Sequence, residues 1–344
     1  MRIKKSIVTK DVGQYVLNTE MNLTHKPKAG DVAVFEVIEI DRHSNVQLDD
    51  KRLAWIFEGD YIMATFADRY ATAQFEGYVP KQPLELYDIL GAGGAIGVVH
   101  TKNASLEHRE PTKVKLVGYC CDQQNQVINT KFYNKERHAF AAHVPGDAKI
   151  ILSIGSTMDS GKTTTAAFVA RGLKTTGKTV CFIKMTGTCY TKDKDMVLDC
   201  GADYSYDFSD MGFPSTYMCE KNDLLDMYQS LLLKVGEHKP DYIVMEIADG
   251  ILQRETAFLL RDEAFMSTIH NVVFSCGDSL AALQGVDMLE AIGIKPCLIS
   301  GRFTMSPLLI NEVHEQSGMP VFTIEQLMTG EHNSILLDKK VVVA

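Results

Sequence analysis

The sequence predicts an α/β fold class, with a smaller β-rich domain, barrel or sandwich, preceding a parallel-sheet domain. Three observations carry that prediction. Residues 1–133 hold short strand-like runs at intervals of about ten residues, separated by Gly, Asn and Asp. Residues 149–344 alternate apolar runs with amphipathic segments of helical spacing, the pattern of a parallel sheet covered on both faces. Between the two patterns stands ILSIGSTMDSGKTTTAAFVARGL, residues 151–173. Its order is a buried strand, a glycine-bounded loop, Gly-Lys-Thr and a helix, which is what a phosphate-binding P-loop requires. The second domain is therefore expected to be a P-loop NTPase domain.

The β-rich half is read in order as VAVFEVIEI, then AWIFEGDYIMATFA, ATAQFEGYVP, AIGVVHTKN, TKVKLVGYCC and QVINTKFY. Pro80 and Pro83 flank LELYDIL, a short helix candidate that leads into GAGGAIG. That glycine cluster fails the dinucleotide fingerprint, because Ile96 stands at the third glycine position. It is expected to be a turn or a site of tight backbone packing. A mobile loop closing over a neighbouring site is the alternative. Residues 134–148 are expected to be a linker.

After the linker come KIILSI, the helix to Gly172, KTVCFIKM, a polar stretch over 187–220 and the helix DLLDMYQSLLLKVG. DYIVMEIA, a helix over about 254–268, NVVFSCG and the helix SLAALQGVDMLEAIG follow. KPCLIS, the helix SPLLINEVHEQSG and the strand PVFTI complete the pattern.

Composition narrows the function classes. The chain has 344 residues, 45% hydrophobic and 23% charged, with a net charge of −9. The acidic balance argues against a broad nucleic-acid surface or an anionic-membrane surface. No window is apolar enough to span a bilayer, and the opening MRIKKSIVTKDVG lacks the apolar core of a signal peptide. A cytoplasmic location is the expectation, as is a homo-oligomer. Eight cysteines show no C-x-x-C and no zinc-finger spacing. Cys181 and Cys276 fall in apolar runs and are expected to be buried free thiols. Of the vicinal pair Cys120 and Cys121, one is expected to face a core and the other solvent.

In a parallel α/β domain ligands sit at the C-terminal strand ends. The candidate phosphate cradle is Gly155, Ser156, Thr157, Met158, Asp159, Ser160 and Gly161, followed by Lys162, Thr163 and Thr164 at the helix start. Backbone N–H groups and the helix N-terminus supply donors for phosphate oxygens. Lys162 is expected to reach the β- and γ-phosphates, and the Thr163 hydroxyl to hold Mg²⁺. The spacing is G-x5-G-K-T, one residue longer than the strict motif, because Ser156 stands where that motif has Gly.

Glu246 ends the apolar strand DYIVME, with Asp249 and Gly250 in the loop beyond it. A carboxylate there can hold Mg²⁺; the alternative is a capping or salt-bridging residue. Lys184 ends KTVCFIK, where its charge needs an anionic partner. That partner is a bound phosphate or carboxylate, or else Asp193 or Asp195. The loop TKDKDMVLD offers Asp193 or Asp195 as a second Mg²⁺ ligand. DFSDMGFPSTY, 207–217, is a candidate substrate or lid loop. The Asn/Thr-Lys-x-Asp signature of many GTPases is missing, which favours ATP over GTP.

Residues 148–325 resemble the dethiobiotin synthetase-like P-loop proteins, which include the cobyrinate amidase ATPase domains. The resemblance rests on the loop Gly155–Thr163 with its internal Asp159, on Lys184, on Glu246 with the following IADG, and on KPCLISGR. It implies phosphate and Mg²⁺ binding by Lys162 and Thr163, and metal ligation by Asp193 or Asp195 and by Glu246. It also implies that Lys184 binds substrate or phosphate, and that Ser300, Gly301 and Arg302 lie beside the nucleotide. The implied reaction is activation of a small anionic substrate by the γ-phosphoryl group of ATP, by a ligase or kinase with Lys162, Lys184 and Glu246 as its catalytic set. The family's Lys-Pro is Lys184-Met185 here, and its Glu-Gly-x-Gly-Gly is Glu246-Ile-Ala-Asp249-Gly250. The β-rich half has no counterpart in dethiobiotin synthetase, and looks loosely like the small barrels before rotary-ATPase motor domains. A nucleotide-operated switch or assembly ATPase, with that half binding a protein partner, is the competing expectation.

Overall fold

The computed structural model describes residues 2–338. The chain divides into two compact units. One holds the described residues up to Glu136 together with Gly187–Thr191 and Phe208–Met218; the other holds Arg137–Thr186, Lys192–Asp207 and the described residues from Cys219 on.

The first unit is built on β1 (Ile3–Lys5), β2 (Val16–Asn18), β3 (Val32–Glu39), β4 (Asn45–Gln47), β5 (Leu53–Trp55), β6 (Tyr61–Phe66), β7 (Phe75–Tyr78), β8 (Leu86–Gly91), β9 (Ala95–Lys102) and β10 (Lys113–Cys121). β3 pairs antiparallel with β6 and β10, β10 with β8, and β8 with β9. A short parallel pairing of β9 with β6, Thr65 opposite Ala95 and Phe66 opposite Ile96, closes the ring. The unit is therefore a barrel. Side chains alternate along strands, so one face of each fills the interior. Phe35, Phe66, Tyr87 and Tyr119 meet there, with Phe35 and Phe66 packed edge to face at 5.4 Å between centroids.

Several details of this half differ from the sequence expectation. LELYDIL is not a helix. Its residues enter β8, because the antiparallel ladders of β9 and β10 on its two sides satisfy its backbone. Tertiary pairing here overrides local spacing. QVINTKFY forms no strand, only single bridges at Val127 and Asn129. Cys120 and Cys121 are both buried. Alternation sends them to opposite faces of β10, but both faces are covered: Cys121 packs with the barrel interior, and Cys120 with Val12, Val34 and Ile128. All eight cysteines are free, and Cys181 and Cys276 are buried.

The segment Phe208–Met218 is a packed wall of this unit. Phe208, Met211 and Phe213 are buried, Asp210 pairs with Lys10, and the Lys131 ammonium lies over the Phe213 ring.

The second unit comprises β11 (Lys149–Gly155), α1 (Lys162–Lys174), β12 (Val180–Lys184), α2 (Lys192–Asp199), β13 (Tyr204–Asp207), α3 (Lys221–Gly236), β14 (Tyr242–Glu246), α4 (Arg254–Leu260), α5 (Glu263–Ser267), β15 (Asn271–Ser275), α6 (Ser279–Glu290), β16 (Leu298–Ser300), α7 (Pro307–Ser317), α8 (Ile324–Thr329) and α9 (Asn333–Asp338). Its strands form one parallel sheet in the order β13-β12-β14-β11-β15-β16. β14 and β15 are buried along their whole length, as expected of a sheet covered on both faces. Ala166, Ala167, Ala170 and Leu173 of α1 pack on Ile151, Phe182, Val244 and Val273 of the sheet. This is a parallel α/β fold in which β11, a glycine-bounded loop and α1 follow in the order a P-loop requires. No helix among the described residues is long and apolar enough to cross a membrane.

Three element expectations change here. KDKDMVLD, the rest of the loop segment after Thr191, is helical, as α2. The helix over 254–268 is two, because Asp262 caps a new one by accepting from the Phe265 N–H at 2.8 Å. PVFTI forms a single bridge, Val321 with Ile299, before α8 begins at a Thr323–Gln326 capping box.

Candidate functional site

The loop between β11 and α1 explains the extra residue in the motif. The Ser156 N–H donates to the Ser275 carbonyl at 2.9 Å, which extends the pairing of β11 with β15 by one residue. A Cβ on Gly155 would stand 2.3 Å from Ser160 Oγ and 2.6 Å from Lys162 Cγ. Gly155 is thus needed for close approach, although it lies one step before the strict position. Gly161 enters the helix with φ +99°, a conformation that favours glycine.

Lys162 is 6% exposed, and its Nζ donates to the Thr157 carbonyl at 2.6 Å. Burial pulls its ammonium below the usual lysine value, against the opposing charges of Glu246 and Asp249. A buried cation held by a single short carbonyl contact is well placed to gain from an anion in the loop.

Sheet order then brings the second and third strand ends to this point. β14 lies between β11 and β12, with Ser153 opposite Glu246 on one side and Lys184 opposite Glu246 on the other. Glu246 is 1% exposed, and its Oε1 accepts from Thr163 Oγ1 at 3.0 Å. Its Oε2 is buried with no hydrogen-bond partner. Lys184 Nζ lies 3.7 Å from Glu246 Oε1 and is paired closely with Asp193, in the first turn of α2. Burial works against the Lys184 charge, but Glu246 and Asp193 outweigh it and hold the ammonium above its usual value.

A cavity of about 510 Å³ opens on these groups, lined by Lys162, Thr163, Lys184, Asp193, Glu246 and Asp249, with Lys192 and Arg302 at exposed positions. Its volume suits a small-molecule site. Asp193 lines it and Asp195 does not, since residues two apart on a helix point different ways. Thr186 hydrogen-bonds the Ala248 N–H at 2.8 Å and so ties the end of β12 to the loop after β14. Thr188 belongs to the barrel unit. Ser300 is buried at the end of β16, and the loop beyond it lies on the P-loop: the Arg302 N–H donates to the Ser160 carbonyl at 3.0 Å.

Mg²⁺ is the metal these residues suit. Among the described residues no group of three or more His, Cys, Asp or Glu forms a cage of its own. Mg²⁺ needs none, because it takes one or two carboxylates and completes its shell with waters and phosphate oxygens. The Glu246 carboxylate, with Oε1 on the Thr163 hydroxyl and Oε2 unpartnered, fits that donor set.

Asp249 is a site residue whose chemistry sequence did not single out. It has φ +62° and lies against the P-loop, where a Cβ on the adjacent Gly250 would stand 2.3 Å from the Ser156 carbonyl. Burial pushes its carboxyl up to about 6, despite Lys162 and Lys184 nearby. Between its unfolded value near 4 and about 6, the folded protein therefore holds a proton that the unfolded chain has lost. Stability contributed by this group falls as pH rises through that window and is flat above it. Melting temperatures of the nucleotide-free protein and of Asp249→Asn, compared from pH 4 to 7, check this. The variant is expected to lose that downward step, and an identical profile would remove it.

No protein-family model matches the chain, and no curated protein matches it in sequence. Solved structures overlap it in part. A ParA family ATPase from Chlorobium tepidum is 10% identical, with a TM-score of 0.33 over 56% of this chain and 96% of that one. The 54 kDa signal recognition particle protein from Aeropyrum pernix, solved with GDP, is 16% identical, with a TM-score of 0.36 over 57% of this chain. This chain spans only 48% of that protein. A DUF1611 family protein from Anabaena variabilis is 10% identical, with a TM-score of 0.42 over 63% and 66% of the two chains. Overlaps of this extent say nothing of activity.

Proposed function

We propose that the chain binds ATP with Mg²⁺ at the P-loop and transfers its γ-phosphoryl group. The observation that carries this reading is the buried, half-satisfied Glu246 carboxylate against Thr163, one strand from the loop that holds Lys162. Lys162, which now donates to the Thr157 carbonyl, would serve the β- and γ-phosphates of a bound nucleotide. Thr163 and Glu246 would hold the ion. Mg²⁺, when bound, neutralises charge that develops on the transferred group. Asp193 and Glu246 fix Lys184 at the far side, where its charge faces the same cavity. Asp249, with its raised carboxyl, is placed to orient the attacking group.

The acceptor in this reading is a small anionic molecule. Lys192 and Arg302, exposed on the cavity that already holds Lys162 and Lys184, support it. A second reading, a nucleotide-operated switch, is favoured by a different observation. The chain leaves the NTPase unit directly after Thr186 and again after Asp207 to complete the barrel unit. Segments that follow phosphate-site strands are where such switches move. ADP release from MgATP in the presence of small carboxylates and amines separates the two. Stimulation by a metabolite supports the enzyme, and stimulation only by a protein supports the switch. No ADP release under any condition removes both.

A further inference from the structure

The barrel unit has a cavity of its own, about 260 Å³, lined by Arg42, His43, Arg69, Gln74, Gly91 and Tyr190 among others, all within that unit. It has room for several waters, or for a small metabolite. No carboxylate lines it.

The walls are fixed by local contacts. Buried Thr112 clamps the turn after β3: its Oγ1 accepts from the His43 N–H at 3.2 Å and donates to the His43 carbonyl at 2.8 Å. The Arg42 N–H donates to the Glu110 carbonyl at 3.1 Å. Arg69 Nη2 donates to Gln74 Oε1 at 3.0 Å, which sets the plane of its guanidinium. The opposite wall comes from Thr188–Tyr190. It docks on the glycine-rich turn between β8 and β9, where a Cβ on Gly93 would stand 1.8 Å from the Cys189 carbonyl. Gln47 holds the same segment through Thr191, donating to its hydroxyl at 2.8 Å and accepting from its N–H at 3.1 Å. The glycine cluster is thus packed closely against Thr188–Tyr190, and its Gly91 and Ala92 line this cavity.

Its chemistry is specific. His43 is 7% exposed, with its ring packed edge-on to Phe75. The Ile89 backbone takes one ring nitrogen, and Nδ1 is buried with no hydrogen-bond partner. Burial, reinforced by Arg69 and Arg42, pushes the imidazole down to about 3, so at neutral pH Nδ1 is an acceptor waiting for a donor. Arg42 Nε is likewise buried and unpartnered. Guanidiniums match a carboxylate as two parallel donors.

We propose that this cavity binds a small carboxylate carrying a hydroxyl or amino group. The carboxylate lies between Arg42 and Arg69, and the hydroxyl or amine donates to His43 Nδ1. The site goes beyond the nucleotide reading and does not depend on it.

Calorimetric titration of the full chain without nucleotide tests it, with lactate, L-serine and malate against propionate and succinate, which lack the donor, and with inorganic phosphate. At least one donor-bearing carboxylate is expected to bind, about tenfold or more tighter than its donor-free counterpart, because the latter leaves a buried acceptor unmet. Arg42→Gln and Gln74→Leu are each expected to weaken that binding about tenfold. Melting temperature confirms that each variant folds, and if one does not, the other decides. Lys162→Ala is expected to bind the carboxylate as wild type does. The proposal is overturned if no donor-bearing carboxylate binds, if donor-free analogues bind equally well, or if phosphate alone binds. It also fails if both folded variants bind as wild type, or if Lys162→Ala abolishes binding.

Discussion

Lys162→Ala is expected to weaken MgATP binding about tenfold to a hundredfold and to bring phosphoryl transfer to background, while the protein stays folded. A charge-assisted hydrogen bond to phosphate is worth about 1.5–3 kcal/mol in binding. The loss in turnover is larger, because the transferred group gains charge on its way. The expectation for stability follows from the same residue. Burial pulls the Lys162 ammonium below its usual value, so without nucleotide that charge is poorly accommodated. Its short contact to the Thr157 carbonyl lies within the loop itself. Removing it should leave the melting temperature unchanged or slightly higher. A variant that binds and turns over like wild type removes Lys162 from the site, and a variant that unfolds gives it a structural role.

Glu246→Gln is expected to raise the Mg²⁺ requirement and to lower turnover, each about ten- to a hundredfold, the usual cost of disturbing a metal's ligand shell. Glutamine keeps the shape and can still accept from Thr163, but it lacks the charge on the buried Oε2. Raising Mg²⁺ should then restore part of the rate. The same change removes one of the carboxylates near Lys184, and breaking a buried charge cluster costs about 3–5 kcal/mol in severe cases. Asp193 remains as its partner, so a smaller loss of stability is expected. Turnover equal to wild type at low Mg²⁺ would make Glu246 a purely structural partner of Lys184.

The P-loop unit was legible because its signals are local. A strand, a glycine-bounded loop and a helix need only neighbouring residues, and Gly155 to Thr164 fold together as their order implies. Lys184 and Glu246 were legible as strand ends, since an apolar run closed by a charge marks where a strand meets solvent or ligand. Their register was not. That Lys184 and Glu246 stand opposite each other depends on β12 and β14 being neighbours, which no local pattern states. Asp249 was visible as a loop residue, but its raised carboxyl comes from burial beneath groups distant in sequence. The barrel half was harder for the same reason. β8 lacks a strong strand pattern of its own and is made by its neighbours. Phe208–Met218 looks like a loop because its partners, among them Lys10 and Lys131, lie far away in the chain.

If Thr163 and Glu246 form a Mg²⁺ site completed by nucleotide phosphates, ATP affinity depends on the ion, and calorimetric titration of ATP into the wild-type chain, once with Mg²⁺ and once with a chelator, reads that dependence. The expected result is a single site in Mg²⁺, about tenfold or more weaker in chelator, with that difference reduced in Glu246→Gln. Equal affinity with and without Mg²⁺, or no binding at all, would contradict it.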